Sequence, residues 1–266
     1  MRTLTHTSSG PVQAMVEADS AVTVEVHAEE RHTAEVTLEP VDPRDAETAR
    51  LIENATAESR GKRFVVRVPR NGAGGNSMTV IRSGGSVIVS GGTVTGSVTG
   101  MVIGSGVTIV NGQVIGGQGT TIINGGRGMR VIVRLPLGSE IEVATQSGDV
   151  TTHGPLPRVE TSSVSGDVRI ERAEVAEVRT TSGDVRIASA DAVRVNAVSG
   201  DVTVRALAGR AEVRTVSGDI TVHAVRASIV RAAAVSGDVT VTADAGVEVD
   251  ADTRTVSGRT RNRRGW

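Results

Sequence analysis

Apolar and polar residues alternate on both sides of a short phrase, Ser-Gly-Asp followed by Val or Ile, that occurs six times in the C-terminal half of the chain. Alternation with a period of two is typical of β-strands, so each phrase marks a corner between two strands. Successive phrases are 17 to 19 residues apart. The six copies are Ser147, Gly148, Asp149; Ser165, Gly166, Asp167; Ser182, Gly183, Asp184; Ser199, Gly200, Asp201; Ser217, Gly218, Asp219; and Ser236, Gly237, Asp238.

Residues at equivalent positions of successive copies are alike. Six residues ahead of each Ser lie Ile141, Val159, Ala176, Val193, Ala211 and Val230, and directly after each Asp lie Val150, Val168, Val185, Val202, Ile220 and Val239. Repetition at a short fixed period predicts a mainly β fold, a parallel β-solenoid of the β-helix kind with repeats of about 18 residues. Val178, Val195 and Val213 are expected to stack inward. Gly-Asp is also a good two-residue hairpin loop, so an antiparallel meander is the alternative.

The chemistry of the phrase suits a turn. Gly tolerates a positive φ, and the carboxylate of Asp can accept hydrogen bonds from nearby backbone N–H groups, as Ser can more weakly. We therefore interpret the eighteen residues of the six phrases as a structural turn ladder. A row of like charges needs compensation, and four nearby arginines are expected to interleave with the carboxylates: Arg169, Arg179, Arg186 and Arg214.

Residues 1–70 predict a small N-terminal α+β cap. Alternation indicates strands at 21–27, 34–39 and 63–68, and a helix is expected to begin near Pro43 and to stop at Gly61. His6, His27 and His32 lack clustered acidic or cysteine ligands at a defined spacing, so solvated histidines are favoured over a metal site.

Residues 71–129 differ in composition from the rest of the chain. They contain 18 of its 32 glycines, and no charged residue occurs from Ser83 to Gly126. Short apolar triplets such as Val87-Ile88-Val89 and Met101-Val102-Ile103 predict very short strands joined by tight turns. We interpret the segment as extra solenoid turns or an inserted ribbon. The functional alternative is self-association, since uncharged β-prone segments with exposed edges pair with other chains. Residues 130–266 then form the repeat array.

Charge and composition exclude several classes of function. The chain of 266 residues carries 29 basic and 30 acidic residues, so no global field attracts nucleic acid. It has no Cys, which excludes disulfides and thiolate metal sites. No stretch has the pattern of a secretory signal or a transmembrane segment, so a cytoplasmic protein is expected, with cell-surface or envelope association as the alternative.

The repeated SGDV and SGDI phrases, preceded by Val or Thr and placed behind a strand-rich leader, resemble the bacterial β-strand-repeat family called "putative adhesin", related to the toast-rack domains of unknown function. The resemblance covers residues 130–258 well and the leader loosely. It implies a β-solenoid with a non-catalytic surface or envelope-associated role.

Stacked coils would bring successive aspartates about 4.8 Å apart, near the carboxylate separation of retaining glycosidases. Because the Asp recurs in every coil and aromatic residues for sugar stacking are almost absent, we expect no enzyme and no cofactor. A row of calcium ions is a further alternative. The sequence therefore predicts a binding or scaffold module with an unknown protein or surface partner. The runner-up is a carbohydrate-active enzyme on a parallel β-helix.

The last copy of the phrase departs from the others, because Arg259 stands where the Asp should be. Five arginines follow from position 254 onward: Arg254, Arg259, Arg261, Arg263 and Arg264. Charge on an edge strand blocks pairing with other chains, so the segment is interpreted as a solubilising cap of the array. The alternative is a tail that binds an anionic partner.

Overall fold

The computed structural model describes residues 1–69, 79–83, 86–90, 101–104, 107–110, 113–114 and 128–263. The chain divides into two compact units, one made of Met1–Asn71 with Arg127–Trp266 and the other of Gly72–Gly126. Residues 1–70 and 130–266, assigned to different segments from the sequence, thus share one unit.

The first unit contains one helix, α1 (Ala46–Asn54), among the described residues. Its strands are β1 (Arg2–Ser9), β2 (Gln13–Glu29), β3 (Thr33–Pro40), β4 (Thr56–Arg60), β5 (Arg63–Val68), β11 (Met129–Pro136), β12 (Glu140–Ser147), β13 (Val150–Ser165), β14 (Val168–Ser182), β15 (Val185–Ser199), β16 (Val202–Ser217), β17 (Ile220–Ala224), β18 (Ser228–Ser236), β19 (Val239–Ala243), β20 (Val249–Ser257) and β21 (Thr260–Arg263). The second unit contains β6 (Thr79–Ser83), β7 (Ser86–Ser90), β8 (Met101–Gly104), β9 (Val107–Val110) and β10 (Gln113–Val114).

Parallel pairing in register confirms the predicted solenoid. Each long strand from β13 to β16 begins after one Ser-Gly-Asp corner and ends at the next. It pairs in parallel with its successor on both faces, with local register shifts in the middle of β13 and of β15. Val178 pairs with Val195, and Val195 pairs with Val213. The hairpin alternative is wrong, because consecutive phrases lie side by side at one edge. We call the strand segments that precede the corners the upstream face and those that follow them the downstream face.

The core is filled by the inward columns of both faces. All six residues that directly follow the aspartates, and all six that lie six positions ahead of the serines, are buried. Burial of one Val or Ile side chain contributes roughly 1.5–3 kcal/mol. Because these side chains are short, either Ala or the β-branched Val and Ile, the two faces pack closely without aromatic residues.

Strand β2 forms a coil of the same stack, although it lies far away in sequence. Its first half pairs in parallel with β12 and β5, and its second half pairs in parallel with β11 and β13. The predicted strand at 21–27 is therefore part of a solenoid coil. Antiparallel strands complete this end of the stack, with β3 between β1 and β11 and with β4 beside β5.

Helix α1 is shorter than the sequence predicts. Asp45 caps its N-terminus, with Oδ1 accepting from the N–H groups of Glu47 (3.0 Å) and Thr48 (3.2 Å). The helix ends at Asn54 instead of Gly61, because residues 56–60 form β4 and pair with β5. Gly61 has φ 57° and lies in the two-residue turn of that hairpin. The backbone hydrogen bonds of the sheet thus displace those of a longer helix.

The second unit is a five-stranded sheet in the order β10-β9-β8-β7-β6. The triplets Val87-Ile88-Val89 and Met101-Val102-Ile103 lie in β7 and β8, as short strands were predicted to do. The residues between β7 and β8 and those after β10 lie outside the described residues. The predicted self-association of this segment also depends on residues outside the described ranges.

Two threonine hydroxyls in β13 are buried without a hydrogen-bond partner among the described residues, those of Thr152 and Thr161. Thr161 occupies the column of Val178 and pairs with it in the neighbouring coil. An unsatisfied buried hydroxyl destabilises a fold by about 1–3 kcal/mol. The two unsatisfied hydroxyls therefore make this coil less stable than its neighbours.

We expect Thr161→Val to raise the free energy of unfolding by about 1 kcal/mol, because it replaces the hydroxyl with a methyl group of similar volume. Chemical denaturation of the full chain measures the change. The reciprocal substitution Val178→Thr, one coil away in the same column, is the control and should destabilise the protein by a similar amount. A loss of stability in Thr161→Val would contradict the assignment.

Candidate functional site

The Ser-Gly-Asp corners form one edge of the solenoid, where glycine stacks on glycine. Gly183 has φ 126°, in the region that favours Gly. A Cβ atom at this position would lie 2.1 Å from the carbonyl oxygen of Gly166 in the preceding coil. The corner therefore requires Gly for its backbone conformation and also for the close approach of successive coils.

The backbone of each corner is bonded to the next coil. Gly166 N–H donates to the carbonyl of Ser182 (3.1 Å), and Val168 N–H donates to the carbonyl of Asp184 (2.9 Å). The amide of Asp184 itself donates to a side chain, Oδ1 of Asp167, at 3.0 Å. Each aspartate thus accepts the N–H of the residue one coil further on.

The complete ladder has six such bonds, all between 2.8 and 3.0 Å: Asp167 N–H to Asp149, Asp184 to Asp167, Asp201 to Asp184, Asp219 to Asp201, Asp238 to Asp219, and Arg259 to Asp238. The sequence suggested that each carboxylate serves N–H groups of its own turn, whereas the structure joins neighbouring turns. The signal in the sequence was Arg259, which replaces the Asp of the phrase and still donates its N–H to Asp238. The accepting carboxylate therefore belongs to the preceding coil.

Hydroxyl groups add a second ladder just inside the corner. The residue two positions ahead of Ser is buried, and in four coils its hydroxyl donates to the Ser carbonyl. These bonds join Thr145 to Ser147, Ser163 to Ser165, Thr180 to Ser182 and Thr215 to Ser217, at 3.1–3.4 Å. These bonds satisfy the Ser carbonyl groups where the upstream and downstream faces meet. The sequence analysis did not identify this second ladder.

Arginines on the downstream face compensate the aspartates in the first coils. Arg169 contacts Asp167 at 2.7 Å and Asp149 at 3.7 Å. Arg186 contacts Asp184 at 2.8 Å and Asp167 at 3.5 Å. The predicted interleaving is confirmed for these two arginines. Exposed ion pairs of this kind contribute about 0–1 kcal/mol each.

The other two arginines were assigned wrongly. Arg179 contacts Glu160 at 2.9 Å, and Arg214 contacts Glu212. Both lie on the outer surface of the upstream face, because odd and even positions of a strand point to opposite sides and these arginines precede the corner.

The outer surface of the upstream face carries a network of opposite charges. Glu160, Glu177, Arg194 and Glu212 occupy one column of successive coils. Arg158 contacts Glu177 at 2.9 Å, and Arg194 contacts Glu212 at 3.4 Å. These pairs cross from coil to coil and give the face a mixed charge along the stack.

Two shallow depressions lie on this same face. One, of about 210 Å³, is lined by Gln13, Ala14, Met15, Arg63, Glu140, Ile141, Glu142, Arg158 and Glu160. The other, of about 160 Å³, has Val175, Ala192 and Val193 in its floor and Glu177, Arg194, Arg210 and Glu212 around it. Both are smaller than the 300–1,000 Å³ typical of small-molecule pockets. They suit side chains of a macromolecular partner better than an enclosed substrate.

One hydrogen-bonded cluster has the composition of a hydrolytic triad. His223 Nδ1 lies 2.8 Å from Thr242 Oγ1, and His223 Nε2 lies 3.0 Å from Asp244 Oδ1. Acyl transfer also requires a cavity with donors for an oxyanion. Neither depression includes these residues. Because His223 and Thr242 pair in the neighbouring strands β17 and β19, their contact links successive coils of the downstream face.

One of the three histidines that were predicted to be solvated is buried. His6 is buried, at 2% exposure, and its ring nitrogens lie 3.0 Å from Ser59 Oγ and from the Gly61 carbonyl. The interpretation as a solvated residue is wrong for His6, because the β4–β5 hairpin folds over it.

His27 stacks on His153 with ring centroids 4.8 Å apart and planes 15° from parallel. Parallel rings at this distance cannot direct lone pairs at one ion. Within the described ranges, no group of three or more His, Asp or Glu side chains could hold a metal ion.

Strand β5 contains a residue with a shifted pKa, Arg67. A hydrogen bond from Arg67 to Glu17 and the charge of Glu17, with a smaller effect of Glu58, raise the pKa of Arg67. The guanidinium joins β5 to β2 and β4. It stays charged and has no titratable role.

The final coil is polar where the others are apolar. Thr260 and Asn262 occupy the downstream inward columns, and both are exposed. Val249, Ala251 and Thr253 are only half-buried in β20. Polar residues at these positions are typical of a repeat that caps an array, and the cap interpretation of this segment stays a prediction. No helix in the described ranges is long and apolar enough to span a membrane.

Residues 52–262 match the family described as Toastrack DUF4097, and the chain belongs to this family. A Bacteroides fragilis protein described as a putative adhesin shares the fold, with a TM-score of 0.52 at 12% identity over 98% of this chain and 97% of that one. Two proteins of Parabacteroides distasonis are also similar. One is described as a putative adhesin (TM-score 0.45, 11% identity, 98% and 97% coverage) and the other as a putative lipid binding protein (0.43, 10%, 98% and 96%). No curated protein matches the chain.

We expect Asp201→Ala to lower the free energy of unfolding by about 1 kcal/mol, because the N–H of Asp219 loses its acceptor. Asp201→Asn should lose less, since its carbonyl oxygen can still accept. The exposed Asp191, which is not in the ladder, provides the control Asp191→Ala. Equal effects of Asp201→Ala and Asp191→Ala in denaturant titrations would contradict the role of the ladder.

Gly200→Ala should destabilise the chain by about 3 kcal/mol, because it combines a positive φ with a contact of 2.2 Å to the carbonyl oxygen of Gly183. Gly246 is the matched control: its φ is +78°, but a Cβ there would meet nothing within 4 Å. Gly246→Ala should therefore cause only the smaller loss of stability that comes from the positive φ. Thermal unfolding of both variants measures the difference, and equal losses would refute the stacking argument.

Proposed function

We propose that this protein is a non-catalytic binding module that uses the outer surface of the upstream face to hold a macromolecular partner at the cell surface or envelope. The observation that carries the proposal is the coil-to-coil network of Glu and Arg side chains on that face, with two shallow depressions between them. Solenoids bind partners through extended surfaces of this kind.

The charge network supports a partner that is itself extended and of mixed charge. Arg194 and Arg179 are more than half exposed, whereas their glutamate partners Glu212 and Glu160 are about one-fifth to one-quarter exposed. The arginines can exchange a contact with these glutamates for one with a partner. Arg is enriched in interfaces because its planar fork binds carboxylates in two places.

An enzyme that uses the stacked aspartates is the alternative, and the corner geometry weighs against it. Every Asp of the row has Oδ1 bonded to the N–H of the next coil. A retaining glycosidase needs two carboxyl groups that both face the sugar, one as nucleophile and one as acid. The row supplies identical groups, each already engaged with the backbone, beside no cleft in the described residues.

The description of one structural neighbour supports the envelope setting. The description of the Bacteroides fragilis protein as a putative adhesin belongs to that protein, and the likeness to it concerns the fold. An extended face that binds other macromolecules is nevertheless what an adhesive role requires. We therefore propose a surface or envelope role for this chain rather than a free cytoplasmic one.

Co-sedimentation of the labelled full chain with bacterial envelope fractions tests the proposal. We expect saturable binding that weakens as salt is raised. Glu177→Lys together with Glu212→Lys should weaken it at least tenfold with little change in melting temperature, because both residues lie on the proposed face. Glu174→Lys, an exposed position outside the charge column, is the matched control.

Reducing-end release from a panel of polysaccharides tests the enzymatic alternative on the same samples. We expect no release above the blank. A hydrolytic rate that Asp201→Asn abolishes would overturn the non-catalytic proposal, and so would binding that the charge reversals leave unchanged.

A further inference from the structure

A row of exposed valines follows the corner edge of the solenoid. The residue directly ahead of the corner Ser points outward in every coil, and it is Val in five of the last six coils. The five are Val164, Val198, Val216, Val235 and Val256, with exposed fractions of 54%, 49%, 49%, 49% and 84%. We call these five residues the valine row. The remaining coil has an exposed Thr181 at the same position.

The fold does not require valine at this position. Thr181 and the exposed Gln146 occupy it in two coils whose corners have the same ladder bonds as the rest. The core does not need it either, because the side chains point away from the buried columns. Four of the five valines, from Val198 to Val256, occupy successive coils, and a line of exposed apolar side chains is typical of a contact with another molecule.

Charged groups of opposite sign lie on the two sides of the valine row. On the upstream side, two residues ahead of a row position, are Arg179, Arg214 and Arg254, all exposed. On the other side is the Asp ladder. In its last three corners Asp201, Asp219 and Asp238 have threonine neighbours in place of Arg169 and Arg186. Their ladder bonds engage Oδ1, and among the described residues no arginine forms an ion pair with these three carboxylates.

This arrangement matches a second copy of itself in one orientation. A two-fold axis parallel to the valine row lays row against row and places the Asp side of each copy over the Arg side of the other. An axis across the row would instead place Asp over Asp. Both copies have the same coil spacing, about 4.8 Å, so a parallel pair stays in register along its whole length.

We propose that the valine row is a self-association surface, through which two copies pack side by side with parallel solenoid axes. The row is narrow, and stable interfaces bury about 800 Å² on each partner. Because the valine row alone is too narrow to bury this area, the Asp and Arg sides must also contribute to the interface. For the same reason we expect the dimer to be reversible. The valines themselves lie outside the charge column of the upstream face, although Arg179 and Arg214 on the Arg side belong to that face. The proposal does not rest on the proposed function.

Sedimentation equilibrium of the full chain over a wide concentration range tests the association. We expect a monomer–dimer equilibrium, and the triple variant Val198→Thr, Val216→Thr, Val235→Thr should raise its dissociation constant at least tenfold. Threonine is tolerated at this position, as Thr181 shows, so the variant should fold. Ile229→Thr, which changes an exposed apolar residue elsewhere, is the control and should leave the constant unchanged.

Single-cysteine variants test the orientation, because the chain has no Cys of its own. In a parallel pair, Val164→Cys should form a disulfide-linked dimer with itself under mild oxidation, and Val256→Cys should do the same. An antiparallel pair would cross-link only when the two variants are mixed. A wild-type chain that stays monomeric, an association that survives the triple substitution, or cross-linking only in the mixture would each overturn the proposal.

Discussion

The hydrogen bond from an Asp N–H to the Asp carboxylate of the preceding coil is the interaction on which the corner edge depends. The positive φ of the corner glycines lets the chain turn within one residue, and it leaves the following amide directed at the neighbouring corner. The carboxylate satisfies that amide, so the Asp or Arg N–H at each of these corners has a hydrogen-bond partner. Because each bond joins two coils, the corner fixes the register of both faces at once.

The residues used by the core and the corner determine which positions remain available for binding other molecules. Residues that point inward fill the core, and Ser, Gly and Asp are used by the corner. Recognition is then left to the outward positions of the strands, where the sequence of one coil can differ from the next without altering the fold. The mixed charges of the upstream face and the valine row both lie at such positions. A scaffold with a strict period thereby presents surfaces that vary along its length.

Local pattern predicted the repeating part of the structure well and its non-repeating ends less well. The parallel coils, the inward columns and the pairing of Arg169 and Arg186 with aspartates follow from the period and from alternation. Arg179 and Arg214 were misassigned, because distance from the phrase in sequence does not tell which face an arginine occupies. His6 was misjudged because the hairpin that buries it is formed by residues more than fifty positions away.

The sequence by itself determined the coil, because a period of 17 to 19 residues with Gly at one fixed position allows few other ways to bury two alternating strands. Tertiary structure decided three matters. It placed β2 in the stack beside β12 and β13, more than a hundred residues away. It ended α1 at Asn54 in favour of a hairpin. It also directed each Asp to the next coil. All three depend on backbone groups of distant segments that compete for the same hydrogen-bond partners, and no local pattern contains that competition.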